Sequence, residues 1–149
     1  MATPRTLKLL TDHARKQTDD SAIKLGKLNH KQRESEKTLK MLLDYRKSYQ
    51  QQLAEYSTNA VNPIQLRNFM AFISKLDVAI AEQQKLVAHT HKNTAAGSSE
   101  FQQHRQKLKT FDTLTQKHEH KQAVSSMKHE QKQQDEHTTH NTNRRKSSS

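Results

Sequence analysis

The sequence predicts an all-α protein folded as a long two-helix antiparallel coiled-coil hairpin with a disordered C-terminal tail. Only 30% of the 149 residues are hydrophobic, against about 45–50% in an average globular domain, so a large core is excluded. Two glycines and two prolines are too few for a turn-rich β fold. Large side chains recur at alternating spacings of three and four residues, the heptad pattern with which two helices pair along a seam.

The first helix is predicted over residues 5–56, because Pro4 is tolerated in a first helical turn and the seam continues to Tyr56. Its second half holds the large seam residues Leu39, Leu42, Arg46, Tyr49, Leu53 and Tyr56. The same repeat, projected towards the N-terminus, adds apolar seam residues and small or polar ones: Leu7, Ala14, Leu25 and Leu28, with Thr11, Thr18, Ser21, Gln32 and Ser35. A buried Ser or Thr contributes little hydrophobic free energy, so we expect this arm to be helical but loosely held.

The turn is predicted over residues 57–62, where the repeat is lost. Asn62 can cap a following helix, Pro63 suits its first position, and Gln65 stands where the second member of a capping box belongs. A loop this short between two long helices forces them to run antiparallel.

The second helix is predicted over residues 63–136, in a single domain spanning residues 1–140. Its seam residues follow the alternation without a break: Leu66, Phe69, Ile73, Leu76, Ile80, Gln83, Val87, Thr90, Thr94, Gly97, Phe101, His104, Leu108 and Phe111. Gly97 disfavours a helix interior and Ser99 could begin a new helix, but the unbroken repeat favours one continuous helix. Since the second helix is the longer, residues 117–136 are expected to have no partner within the chain. The polar residues 137–149 are predicted to be disordered.

The composition restricts the kind of partner and the compartment. A formal net charge of +11 indicates attraction to nucleic acid, anionic lipid or an acidic protein, although Lys and Arg alternate with Asp and Glu along much of the chain, as on a solvated helix. The chain has no cysteine, which suits a reducing compartment. No apolar run approaches the roughly 20 residues of a membrane span, and the N-terminus lacks the apolar core of a secretory signal. We therefore expect a cytoplasmic protein that does not insert into a membrane.

Catalysis and metal binding are not expected. Two glycines cannot build a phosphate-binding loop, and a two-helix coiled coil offers no enclosed pocket. The ten histidines include pairs such as His118 and His120, whose spacing points them in different directions on a helix. His137 and His140 could share a face but lack a third ligand. We predict no enzymatic activity, no cofactor and no metal.

Apolar residues beside the seam predict a protein-docking surface. Tyr45, Phe72 and Ala79 each stand immediately before a seam residue, so they widen the apolar stripe beyond what two helices must cover. Further apolar surface comes from Met41, Leu43 and Met70. Apolar surface beside the seam is hard to bury within a two-helix hairpin and is typical of a protein-docking site. The alternative function is a basic coiled-coil adaptor for nucleic acid or the ribosome, which the net charge favours.

Three blocks of the sequence resemble the flagellar export protein FliJ family. They are residues 39–49 (LKMLLDYRKSY), 72–80 (FISKLDVAI) and 128–136 (KHEQKQQDE), and their order and spacing match over roughly residues 5 to 140. The sequence departs from the family at Phe101 and Phe111, where enteric members are expected to have tryptophan, and at residues 97–99 (GSS), where the family continues as helix.

The resemblance implies a cytoplasmic coiled-coil component of the bacterial flagellar type III export machine, at the cytoplasmic face of the inner membrane. Its implied partners are the export ATPase ring, the membrane export gate and the export chaperones, with no nucleic acid. The family pattern implies gate contact through Leu42, Tyr45, Tyr49, Phe72, Leu76 and Ala79. It implies ATPase contact near the end of the second helix, through Gln131, Asp135 and Glu136.

Overall fold

The computed structural model describes residues 3–57 and 62–147, which form two α-helices, α1 (Pro4–Ser57) and α2 (Pro63–Ser147). The two helices pack against each other and run antiparallel. Ser35 of α1 meets Thr90, whereas Arg46, further along α1, meets Asp77, which comes earlier on α2. The described ranges contain no β-strand. The predicted all-α two-helix fold is therefore confirmed.

α2 begins at the predicted residue, and α1 begins one residue before its predicted start. Pro63 is the first residue of α2, and the Asn62 side-chain oxygen accepts a hydrogen bond from the backbone N–H of Ile64 at 3.1 Å, which is the capping bond expected of Asn. Ser57 of the predicted 57–62 loop belongs to α1, and residues 58–61 of that loop lie outside the described residues.

The capping box predicted for Gln65 is replaced by a contact between the helices. The Gln65 side-chain oxygen accepts a hydrogen bond from the Tyr56 hydroxyl. That hydroxyl in turn accepts a bond from the backbone N–H of Asn62 at 3.4 Å, the donor that Gln65 was expected to satisfy. Tyr56 thus takes the place of Gln65 because the last turn of α1 lies against the first turn of α2.

Contacts divide the chain into two units, and each helix contributes to both. We call Asp19–Gln103 the hairpin unit, and Met1–Thr18 with His104–Ser149 the terminal unit. In the hairpin unit the seam buries Leu76 and Ile80 together with small and polar residues: Ser21, Ser35, Thr90 and Gly97. The helix continues unbroken through Gly97, which confirms the predicted continuity of α2.

In the terminal unit the seam is narrow and partly polar. Leu7, Thr11, Ala14 and Thr18 are buried. The hydroxyls of Thr11 and Thr18 donate hydrogen bonds to the backbone carbonyls four residues earlier, at 2.8 and 2.7 Å. Thr11 also meets Thr115 of α2, with 3.5 Å between their hydroxyl oxygens. The small polar residues are therefore buried with their hydrogen bonds satisfied, which removes most of the cost of burying them.

The end of α2 differs from the sequence-based expectation. Every residue from 119 to 147 is exposed, as expected of a stretch beyond the end of its partner helix. The helix nevertheless continues to Ser147, through most of the tail that was predicted to be disordered; Ser148 and Ser149 lie outside the described residues. The sequence has no Gly or Pro after Gly97, and Thr139 and Thr142 donate to carbonyls one turn earlier, so nothing in this stretch ends the helix.

Candidate functional site

Four aromatic rings meet across the seam of the hairpin unit. Tyr49 of α1 lies between Phe69 and Phe72 of α2, with ring centroids 6.1 and 4.4 Å apart. Tyr56, two turns after Tyr49, contacts Phe69 at 5.8 Å. Aromatic pairs at these separations contribute about 0.5–1.5 kcal/mol each beyond their burial. The cluster therefore fixes the position of Phe72, whose other side faces solvent.

One edge of the hairpin unit carries an apolar surface. Tyr45 stands immediately before the seam residue Arg46, and Phe72 stands immediately before the seam residue Ile73. In an antiparallel pair, the residues that precede the seam on both helices lie on the same edge. Tyr45 is 53% exposed and Phe72 is 40% exposed. We call this surface the docking edge and define it by Met41, Tyr45, Phe72 and Ala79.

The α1 side of the docking edge is a shallow groove that mixes apolar and charged groups. It is lined by Lys37, Lys40, Met41, Asp44, Tyr45 and Ser48. Tyr and Met side chains are enriched at protein interfaces, whereas charged side chains such as the two lysines belong to the polar rim.

The other residues implied by the family pattern are less accessible. Leu42, Tyr49 and Ala79 are half-buried, and Leu76 is only 8% exposed. The structure brings all six residues predicted for gate contact into the hairpin unit, but Leu42, Tyr49 and Leu76 are seam residues. Of the six, only Tyr45 and Phe72 are exposed to solvent.

The opposite edge holds an ion pair that sequence reasoning missed. Arg46 donates two hydrogen bonds to the carboxylate of Asp77 across the helices. These bonds and the charge of Asp77 raise the pKa of Arg46. The sequence signal for this ion pair is the cation Arg46 among the large seam residues of the second half of α1. Leu43 and Met70 are exposed on this same edge, since each stands immediately after a seam residue.

A second missed polar contact joins the helices further from the turn. Glu36 of α1 and His91 of α2 are in hydrogen-bonding contact, and Gln32 lies within 3.5 Å of the same imidazole. Both Glu36 and His91 stand immediately after a seam residue, which is the signal that could have paired them.

The residues implied for ATPase contact lie on the exposed part of α2. Gln131, Asp135 and Glu136 are all exposed. Gln131 and Asp135 are four residues apart and so share a helix face. A shallow depression beside them is lined by Glu130, Gln133, Gln134, His137 and Thr138.

Within residues 3–57 and 62–147, no three His, Asp or Glu side chains are grouped so that they could hold a metal ion. In the same part of the chain, no helix is long and apolar enough to cross a membrane.

A pair of long antiparallel helices that pack along a heptad seam defines an all-α coiled-coil protein. The family model described as Flagellar FliJ protein matches residues 4–147. A Flagellar FliJ protein of Salmonella typhi is 26% identical over 136 residues, covering 91% of this chain and 92% of the relative. One of Escherichia coli (strain K12) is 29% identical over 137 residues, with the same coverage. The chain belongs to the FliJ family, whose members are non-catalytic components of flagellar protein export.

Proposed function

We propose that this chain couples the flagellar export ATPase ring to the membrane export gate and helps to recycle export chaperones, acting by binding alone. Its place of action is the cytoplasm, at the cytoplasmic face of the inner membrane. Two observations carry the proposal: the docking edge of the hairpin unit is exposed, and so is the extension of α2 in the terminal unit.

Gate binding is assigned to the docking edge. Aromatic side chains held in place by their neighbours are efficient binding anchors, because little side-chain entropy is lost on association. Phe72 meets this condition through its contact with Tyr49, 4.4 Å between ring centroids. Leu42, Tyr49 and Leu76 support the edge from the seam, and Tyr45 and Phe72 supply the surface that a partner covers.

ATPase binding is assigned to the exposed extension of α2. A single helix without tertiary packing is marginal in water, so a partner that surrounds residues 119–147 would stabilise the helical state. Gln131 and Asp135 present an amide and a carboxylate on one face, and Glu136 adds a second carboxylate beside it. These groups suit a polar interface with hydrogen-bonding partners.

The test compares two pairs of exposed residues on opposite edges. Tyr45→Ala with Phe72→Ala removes the apolar surface of the docking edge, and Leu43→Ala with Met70→Ala removes comparable surface from the other edge. We expect the first double variant to bind the purified cytoplasmic domain of the gate at least tenfold more weakly, since each interface anchor contributes about 1–2 kcal/mol. The second should bind like the wild type. Equal binding by the two variants would remove the docking edge from the proposal.

A further inference from the structure

We propose that the terminal unit also binds the surface of an anionic phospholipid bilayer, through a row of lysines on one edge of α2. We call these residues the lysine row: Lys107, Lys117, Lys121 and Lys128. The inference goes beyond the proposed function, which involves only protein partners, and it does not depend on it.

The positive charge of the chain is concentrated in this unit. Met1–Thr18 and His104–Ser149 together hold 14 Lys and Arg against 6 Asp and Glu, a formal charge of +8 out of the +11 of the whole chain. A surface with this excess attracts anionic partners over about a Debye length, roughly 10 Å at 0.1 M salt.

The lysine row occupies a single helix face. Seven residues of this face follow one another at alternating spacings of three and four: Lys107, Thr110, Leu114, Lys117, Lys121, Val124 and Lys128. These steps keep side chains on one side of a helix, and every one of the seven residues is exposed. None of them is acidic. The row spans about 32 Å at 1.5 Å per residue.

Aliphatic side chains lie among the lysines. Leu114 and Val124 are exposed within the row, and Leu10 of α1 is exposed beside it. Leu10 and Leu114 each precede one member of the Thr11–Thr115 contact, so they lie on the same edge of the antiparallel pair. Lysines with aliphatic residues between them suit a lipid headgroup layer, because the ammonium groups reach phosphates while the methyl groups enter the acyl boundary.

The opposite edge of the same unit carries charges of both signs. Arg15 pairs with Asp112 across the helices at 3.6 Å and with Asp12 at 3.9 Å. Lys8 and Arg105 stand on this edge too, since each immediately follows a seam residue, as Arg15 and Asp112 do. By contrast, no ion pair involves the lysine row within the described ranges.

A bilayer fits the lysine row better than nucleic acid does. A plane of phosphates can contact charges spaced along a straight helix, whereas the backbone of a duplex winds away from such a line. Single-stranded nucleic acid is usually held by stacking on aromatic side chains. The terminal unit has no Tyr or Trp, and its single Phe is Phe111, a half-buried seam residue.

The test is sedimentation of the full chain with vesicles at low salt. We expect binding to vesicles of phosphatidylglycerol mixed with phosphatidylcholine and none to phosphatidylcholine alone. Each lysine near an anionic surface strengthens binding about fivefold, so Lys117→Gln with Lys121→Gln should weaken it about 25-fold. Gln has nearly the helix propensity of Lys, and circular dichroism should show unchanged helix content.

The control is Lys8→Gln with Arg105→Gln, which removes the same charge from the opposite edge and should weaken binding much less. Equal weakening by both pairs would overturn the proposal, because it would mean that net charge alone attracts the chain to the membrane. Absence of binding to the anionic vesicles would overturn it as well. Binding of oligo(U) RNA that depends on the lysine row, without vesicle binding, would reassign the row to nucleic acid.

Discussion

A methyl carbon of Leu28 lies 2.5 Å from the point where a β-carbon at position 97 would stand. The Leu28 side chain of α1 therefore fills the space that the β-carbon of any residue other than glycine would occupy at position 97 of α2. The Thr94 hydroxyl donates to the Leu28 backbone carbonyl at 3.3 Å beside it, so the helices approach closely at this point. Gly97 lies inside a helix because the packing requires it there.

Gly97→Ala should therefore gain less stability than helix propensity alone predicts. Alanine favours a helix interior over glycine by about 1 kcal/mol, but its β-carbon must displace the Leu28 methyl group. In a Leu28→Ala background the obstacle is gone and the full gain should appear. Urea unfolding of the four proteins measures this coupling. The same gain from Gly97→Ala in both backgrounds would contradict the contact.

The Ser35–Thr90 pair should respond differently to single and double substitution. Their hydroxyl oxygens are 2.9 Å apart in the buried seam, and Ser35 also accepts a bond from the Gln83 amide through its backbone carbonyl. Thr90→Val alone leaves the Ser35 hydroxyl with only the Gln32 backbone carbonyl, at 2.8 Å, and should cost about 1 kcal/mol, whereas adding Ser35→Ala should restore much of the loss. Additive losses in urea unfolding would show that the two hydroxyls do not interact.

Alanine substitutions of Leu76 and Tyr45 should have different effects on the free energy of unfolding. Leu76 is 8% exposed, so Leu76→Ala should lower the free energy of unfolding by about 2 kcal/mol or more. Tyr45→Ala should change it by less than about 0.5 kcal/mol, because the side chain is largely exposed. Thermal unfolding followed by circular dichroism checks both variants. A large loss of stability in Tyr45→Ala would mean that the docking edge is part of the core.

Removal of residues 119–147 should leave the unfolding midpoint of the remaining helix pair unchanged. All the removed side chains are exposed, so no packing is lost, and only the helical signal should fall. The ATPase ring should no longer bind this variant. As a control, deletion of residues 3–18 removes the buried Leu7, Thr11, Ala14 and Thr18 and should lower the midpoint. A fall caused by the C-terminal deletion would indicate that the extension packs against the rest of the chain.

The spacing of residues was enough to predict most of the seam. Each predicted seam residue from Leu7 to Tyr56, and from Leu66 to Phe111, is buried or half-buried, because alternation of three and four residues defines a helix face whatever the side chains are. The start of α2 was also predictable, since the Asn62 cap and Pro63 act within a single turn.

Contacts between the helices were harder to predict. Three of these contacts depend on the relative register of two distant segments. They are the Arg46–Asp77 pair, the contact of the Tyr56 hydroxyl with the start of α2, and the contact of Leu28 with Gly97. The sequence pattern predicts that the helices pair, but it leaves the register open by a turn or more. The polar composition of residues 137–147 predicts disorder, but the helix continues there because no residue in that range breaks it.

The most direct measurement is secretion of the flagellar filament protein by a strain that lacks this chain and is complemented with variants. Tyr45→Ala with Phe72→Ala should abolish most of the secretion while the protein accumulates at its normal level. The matched control is Ile23→Ala with Val78→Ala, which removes two exposed apolar side chains of the hairpin unit that do not adjoin the seam, and it should secrete normally. Full secretion by the Tyr45 and Phe72 variant, or an equal loss in both, would contradict a function carried by the docking edge.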